Sequence, residues 1–150
     1  MQFDEFRKNI ILSVRLFSHT EKSLFSAYGD NLREEGISHQ LACKMSCIFK
    51  NYDVDCEYSR QLDGDPKKNS SGATVRPDII IHKRGVNDHN LAVLEVKWDK
   101  NTNNDNEKIT QYSNLQYKYG IEVRFGEEGY AKCLKIYDFQ SKQWHDCLAP

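Results

Sequence analysis

The fold is decided by two apolar segments near the middle of the chain, Arg76-Pro77-Asp78-Ile79-Ile80-Ile81-His82 and Leu91-Ala92-Val93-Leu94-Glu95-Val96-Lys97-Trp98. Each segment has the length and the apolar content of a strand that is buried on both faces of a sheet. Each also carries charged residues, which such a strand normally lacks. These charges are therefore the first candidates for function.

The two segments are predicted to be neighbouring antiparallel strands. The connection between them, residues 83–90, contains Gly85, Asn87 and Asp88. These residue types favour the backbone conformations of a hairpin loop. Strands that are joined in this way usually lie side by side.

Alternation along the strands gathers charge on one face. Glu95 and Lys97 share a face of the second strand, and Asp78 opens the first strand after Pro77, a residue tolerated at a strand start. A register that places Asp78 beside Glu95 would bring two carboxylates together. Two such carboxylates repel each other unless a cation lies between them. Mg²⁺ or Mn²⁺ fits this position, because both prefer oxygen ligands.

These residues resemble the signature of the PD-(D/E)xK nuclease superfamily, which shares the restriction-endonuclease-like fold. The matching residues are Pro77-Asp78 and, after a gap, Glu95-Val96-Lys97. In that family the aspartate begins the second core strand, E-x-K lies on the third, and a glutamate comes from the preceding helix. The resemblance implies hydrolysis of phosphodiester bonds with Mg²⁺ or Mn²⁺ as cofactor. DNA rather than RNA is the expected substrate at the level of the family alone.

The resemblance also implies a role for each residue of the site. Asp78 and Glu95 bind the metal together with the backbone carbonyl of Val96. Glu34 contributes to the metal site directly or through a water. Lys97 orients the attacking water and stabilises the negative charge that develops during hydrolysis. The alternative for Lys97 is a simple ion pair with Glu95.

Glu34 is assigned from a predicted helix over residues 31–51. The helix has an apolar stripe that includes Glu34, and the other members of the stripe are Ile37, Leu41, Met45 and Ile48. A carboxylate at the start of such a stripe is expected to point toward the sheet. The alternative is a structural role, because a glutamate in the first turn also stabilises a helix. Gly36 departs from the family pattern, since glycine is a poor helix former.

Other polar residues are secondary candidates. Glu57, on a predicted strand over 53–60, is a possible additional acid, or alternatively a strand position that faces solvent. The candidates for nucleic-acid contacts are Arg60, Lys67, Lys68, Arg76 and Lys108. Lys67 and Lys68 lie in a polar loop, 61–74, which is either a mobile clamp for nucleic acid or an ordinary surface loop.

The remaining pattern completes a mixed fold. A helix is predicted over about 106–117, and strands over 121–125 and 130–138, with a glycine-rich loop between the strands. The order of helix, three strands, helix and two strands matches the αβββαβ core of the superfamily. We therefore expect an α/β (α+β) domain with a mixed central sheet that is flanked by helices. The core is expected at about 31–138 within a single domain, 1–150.

A helical extension is predicted over residues 1–30. The segment 3–17 has an amphipathic pattern, and a second short helix follows at about 21–28. The apolar stripe of the first helix has two interpretations. It covers the core of the domain, or it binds a second copy of the chain or another protein partner.

Composition limits the function classes. The formal net charge is −1, so phosphate contacts must come from a local basic patch. The five cysteines show no C-x-x-C pair, which predicts reduced thiols in a cytoplasmic protein. No segment resembles a signal peptide or a membrane span, so no membrane partner is expected.

Three interpretations remain open at this point. The chain is an active nuclease, an inactive restriction-endonuclease-like module that binds nucleic acid or a protein partner, or an unrelated α/β domain with an accidental motif. The near-neutral charge and Gly36 leave the second interpretation open. The presence of all the expected acids and the lysine favours the first.

Overall fold

The computed structural model describes residues 1–28, 32–57, 66–86, 89–98 and 106–148. The helices are α1 (Phe3–Thr20), α2 (Lys22–Tyr28), α3 (Glu34–Ile48) and α4 (Asn106–Thr110), and a 3₁₀ segment (Gln111–Leu115) follows α4. The strands are β1 (Asp53–Cys56), β2 (Ile79–His82), β3 (Ala92–Trp98), β4 (Tyr119–Phe125), β5 (Ala131–Asp138) and β6 (Gln143–Asp146). The predicted mixed α+β class is confirmed.

The six strands form one mixed sheet in the order β1-β2-β3-β4-β5-β6. The predicted antiparallel pairing of β2 with β3 is confirmed, with Ile80 opposite Val93. β3 and β4 are parallel, and every other neighbouring pair is antiparallel. The segment that contains α4 is the crossover that a parallel pair requires.

Helices α1 and α3 cover one face of the sheet. The apolar stripe of α1 is buried and consists of Phe6, Ile10, Val14 and Phe17. Phe6 stacks on Tyr119 of β4 at a centroid distance of 4.2 Å. The stripe therefore packs into the core of its own domain, and it is not available as the partner surface that the sequence allowed.

α4 packs close to β4 on the opposite face because β4 carries a glycine at the contact. A Cβ atom on Gly120 would lie 2.4 Å from the Cγ2 atom of Ile109. Ile109 belongs to a small second core with Ile80, Val93 and Tyr112. The absence of a side chain at residue 120 thus sets how closely the crossover segment approaches the sheet.

The crossover helix is shorter than the sequence predicts. The α-helical part ends at Thr110, and Gln116 adopts a left-handed conformation with φ 58°. The carbonyl oxygen of Gln111 accepts a hydrogen bond from the backbone N–H of Ser70 (2.8 Å). This long-range contact uses an acceptor that a continued α-helix would need.

The first strand is also shorter than predicted. β1 ends at Cys56 because Glu57 adopts a left-handed conformation with φ 50°. The N–H of Glu57 donates to the carbonyl oxygen of Asp78 (3.0 Å). Arg60 lies outside the described residues.

Strand β6 pairs with β5 at the edge of the sheet, and the sequence pattern did not predict it.

Within the described ranges, every helix is too short or too polar to cross a bilayer.

Candidate functional site

Strand β3 extends beyond the end of its neighbour β2, and this difference creates a notch in the sheet. The last pair between the two strands is Ile79 with Leu94. Continuing that register by one residue places Asp78 opposite Glu95. The sequence alone does not determine this register. The observed pairing brings the two acids to the same point.

Two carboxylates complete the hydrogen bonding of β3 along the notch. The N–H of Val96 donates to Oδ2 of Asp78 (2.7 Å), and the N–H of Trp98 donates to Oε1 of Glu34 (3.1 Å). A buried backbone donor needs such a partner where the neighbouring strand has ended. In a strand, the carbonyl of a residue points to the same side as its N–H. The carbonyl of Val96 is therefore directed toward Asp78.

Glu34 reaches the notch because it is the first residue of α3. Its Oε2 lies 3.5 Å from Nζ of Lys97. The side chains of Glu34 and Lys97 are 28% and 17% exposed, so this ion pair is mostly shielded from solvent. The structure thus pairs Lys97 with Glu34, whereas the alternative from the sequence was a pair with Glu95.

Glu95 is fully buried and is held by two side chains of the crossover segment. The hydroxyl of Tyr112 donates to Oε1 (2.5 Å), and Oε2 forms an ion pair with Nζ of Lys108. Burial, together with the nearby charge of Asp78, raises the pKa of Glu95 to about 7. Lys108 and Tyr112 oppose this rise, because they stabilise the ionised form.

The pKa of Asp78 is also raised, and burial is again the main cause. The hydrogen bond from Val96 and the charges of Lys108 and Lys97 act in the opposite direction. The raised pKa values of these two crowded carboxylates show that their ionised forms are disfavoured at this buried place.

Strand β4 adds two residues that the sequence analysis missed. Glu122 is paired in register with Glu95, and Arg124 with Lys97. Glu122 is 2% exposed, and its Oε1 accepts from Nη2 of Arg124 (3.3 Å). Alternation within β4 was visible in the sequence. The parallel register that places these residues beside the site was not.

Charged side chains of both signs meet around the site. Among the described residues its acids are Glu34, Asp78, Glu95 and Glu122, and its bases are Lys97, Lys108, Arg124 and Lys135. Among the described residues, Oε2 of Glu122 has no hydrogen-bond partner although it is buried. A buried carboxylate oxygen without a partner fits the presence of a further cation.

The donor set fits Mg²⁺ or Mn²⁺ better than a metal that needs many protein ligands. In the described part of the chain, no three His, Cys, Asp or Glu side chains are grouped so that they could hold an ion. Asp78 and Glu95, with the carbonyl of Val96, offer a smaller set. Mg²⁺ is usually bound by one or two carboxylates and completed by water and substrate oxygens. Glu34, which already accepts from Trp98, suits a contact through water.

A cleft of about 230 Å³ opens from Asp78 between α3 and the ends of β1 and β2. Its lining residues are Glu35, Ser38, His39, Cys56, Glu57 and Asp78. Glu57 is exposed and lies 3.5 Å from Arg76 in an ion pair. The structure therefore places Glu57 and Arg76 together at the mouth of the site rather than against Glu95.

The two lysines of the polar loop have different positions. Lys68 is exposed, as a nucleic-acid contact requires. Lys67 is only 6% exposed, and its Nζ donates to the hydroxyl of Tyr117 (2.6 Å). Burial lowers the pKa of Lys67 to about 8. The expectation of a surface phosphate contact at Lys67 is corrected, because its ammonium group is inside the domain.

Comparisons of the chain with models of known protein families, with curated proteins and with solved structures found no match. The interpretation of the site therefore rests on its own residues and on the order of the strands that carry them.

Proposed function

We propose that this protein is a divalent-metal-dependent nuclease with a restriction-endonuclease-like fold. The observation that supports this most strongly is the meeting of Asp78, Glu95 and Lys97 at the notch of the sheet. An acid pair that is held on strands beside a lysine is the arrangement that metal-assisted phosphodiester hydrolysis needs.

The order of elements supports the specific fold. From α3 to β4 the chain runs helix, three antiparallel strands, crossover segment and a parallel strand. This is the αβββαβ order that the sequence resemblance implies. Helices α1 and α2 precede this core, and β5 and β6 extend the sheet at one edge.

In the proposed mechanism, Asp78, Glu95 and the carbonyl of Val96 hold a Mg²⁺ or Mn²⁺ ion. Such an ion would lower the pKa of a water molecule and offset the negative charge of the phosphate. Lys97 donates a hydrogen bond to the attacking water and offsets the charge that develops on the phosphate oxygens. Glu34 keeps the Lys97 ammonium at the notch through their ion pair.

Nucleic acid is the proposed partner because cationic groups surround the acids. Arg124 lies beside Lys97 on the neighbouring strand, and Arg76 is exposed at the mouth of the cleft. Lys68 adds an exposed charge in the preceding loop. Such residues bind phosphates without reading the base sequence. DNA is proposed over RNA on the resemblance alone.

A cytoplasmic location is part of the proposal. All five cysteines are free, and Cys43 and Cys47 are exposed on α3. Exposed free thiols are compatible with a reducing compartment.

The proposal is tested by incubating the protein with plasmid, linear duplex, single-stranded DNA and RNA in Mg²⁺, Mn²⁺ or EDTA. Wild type is compared with Asp78→Asn, which keeps the size of the side chain and removes its charge. We expect cleavage of at least one substrate that stops in EDTA and in Asp78→Asn. Equal cleavage by the wild type and the variant would reject the proposal.

An inactive binding module is the second candidate, and one observation favours it. Both carboxylate oxygens of Glu95 already have partners, Tyr112 and Lys108. A protein that never binds metal would keep this arrangement permanently. It would bind nucleic acid with equal affinity in Mg²⁺ and EDTA, and it would cut none of the four substrates.

A further inference from the structure

We propose that Lys108 is an internal substitute for the metal: it neutralises Glu95 in the metal-free protein and leaves Oε2 when a divalent ion binds. This inference rests on the proposed metal site. It assigns to Lys108 a role in metal loading, in addition to the phosphate contact expected from the sequence.

The two partners of this ion pair differ in burial. The Glu95 side chain is 0% exposed, whereas the Lys108 side chain is 40% exposed. A carboxylate without solvent contact needs a positive partner, and removing that partner leaves an uncompensated buried charge. Lys108 can withdraw toward solvent by rotating its flexible stem, but Glu95 cannot follow it. The cation is therefore the exchangeable member of the pair.

The two carboxylate oxygens of Glu95 have different partners. Oε1 accepts from the hydroxyl of Tyr112, whose side chain is 0% exposed and fixed in the second core. Oε2 contacts Lys108. When Lys108 leaves, Tyr112 still orients the carboxylate. Oε2 is thus the oxygen that becomes available to a metal.

Lys108 remains close to the site after its ammonium group leaves Glu95. The residue is on α4, whose contacts with β3 and β4 keep its backbone next to the site. An ammonium group displaced from Glu95 therefore stays near the metal and can bind a phosphate of the nucleic acid. Metal binding would then prepare a cationic contact for the substrate.

The direct test is the accessibility of Lys108 to an amine-acylating reagent at limiting dose, measured by mass spectrometry in EDTA and in saturating Mg²⁺ without nucleic acid. We expect the acylation rate of Lys108 to rise by about threefold or more with Mg²⁺, because its ion pair with the buried carboxylate is lost. Lys68, which is exposed, is the internal control and should not change. An unchanged or lower rate at Lys108 would overturn the inference.

A second measurement uses Mn²⁺ affinity by calorimetry. Lys108→Gln keeps a hydrogen-bond donor and removes the competing charge, so we expect Mn²⁺ to bind about tenfold more tightly. Lys83→Gln is the matched control, because Lys83 is exposed just after β2 and forms no part of the site. Equal affinities in the two variants would contradict displacement.

The same calorimetry separates the two proposals. If wild type binds Mn²⁺ but Lys108→Gln binds no more tightly, the inference about Lys108 fails and the metal site stands. If neither protein binds Mn²⁺, the metal site and the inference fail together.

Discussion

Glu95 is an ionisable residue on a fully buried part of strand β3. Its side chain is 0% exposed, and burial raises its pKa from 4.5 to about 7. The folded protein therefore binds a proton at Glu95 more tightly than the unfolded chain does. The contribution of this residue to stability is best below about pH 4.5, and it is lost as the pH rises to about 7. The raised pKa of Asp78 acts in the same direction.

This residue makes a prediction about stability in EDTA. Glu95→Gln removes the titrating group and keeps a side chain of the same shape. We subtract the free energy of unfolding of wild type from that of Glu95→Gln at each pH. This difference is expected to be about 1–3 kcal/mol larger at pH 8 than at pH 5. Urea unfolding at both pH values measures the difference. A difference between the two proteins that stays constant with pH would show that Glu95 does not titrate in this range.

Single residues also show what the sequence could and could not reveal. Asp78, Glu95 and Lys97 were found because charges on apolar strands violate a simple pattern. Lys67 was misplaced because a lysine in a polar loop looks exposed, and only the tertiary contact with Tyr117 shows its burial. The role of Glu122 depends on the register between β3 and β4, which no local pattern encodes.

Among the elements, the crossover segment determines how the packing on β4 affects the geometry of the site. α4 carries Lys108, and the following 3₁₀ segment carries Tyr112, so the position of both relative to Glu95 depends on how closely this segment approaches β4. The contact at Gly120 sets that approach.

Gly120→Ala is therefore expected to impair both stability and activity. The added Cβ would meet Ile109 at 2.4 Å and the ring of Phe139 at 3.2 Å. Both side chains must shift, at a cost of about 1–3 kcal/mol in the free energy of unfolding. The displaced segment would loosen the contacts on Glu95 and slow cleavage. Urea unfolding and the initial rate of cleavage measure the two effects.

Gly36→Ala is the matched control for that substitution. Gly36 lies in the first turn of α3, and a Cβ there would meet nothing within 4 Å. Alanine at this helical position should increase the free energy of unfolding by up to about 1 kcal/mol. If Gly120→Ala were as stable as Gly36→Ala, the close packing of the crossover segment on β4 would be contradicted.

Elements with a strong local pattern were predicted better than elements that depend on distant contacts. The antiparallel pair β2 and β3 followed from two apolar runs and a loop with turn residues. The sequence predicts one continuous helix for the crossover, but the structure changes to a 3₁₀ segment at Gln111, whose carbonyl oxygen accepts a hydrogen bond from the N–H of Ser70. That contact joins residues far apart in the chain, so no periodicity could indicate it.

In the molecule as a whole, the sheet has one apolar packed face and one face that carries both packed and charged side chains. Helices α1 and α3 cover the first face with the larger core. The second face has a smaller core near Ile80 and Val93, followed by the charged rows of β3 and β4. The mixed fold could be predicted from the order of elements. The division of the second face into an apolar end and a charged end could not be predicted without the full strand register.

The activity that we propose for the charged end of this face is the hydrolysis of phosphodiester bonds. Cleavage by a purified protein alone is weak support, because a contaminating nuclease also requires Mg²⁺. A variant that binds metal normally but does not cut is more decisive. Lys97 provides it, since the proposed role of this residue is in the chemical step and not in metal binding.

The most direct measurement is the single-turnover cleavage rate of Lys97→Met beside wild type, prepared in parallel, with Mn²⁺ affinity measured on the same samples. We expect unchanged or slightly tighter Mn²⁺ binding, and a rate that is lower by about 100-fold to 10,000-fold because the group that orients the attacking water and offsets the developing charge is lost. Lys83→Met, at an exposed position just after β2, should cut at the wild-type rate. Cleavage by Lys97→Met at the wild-type rate would contradict the proposed active site.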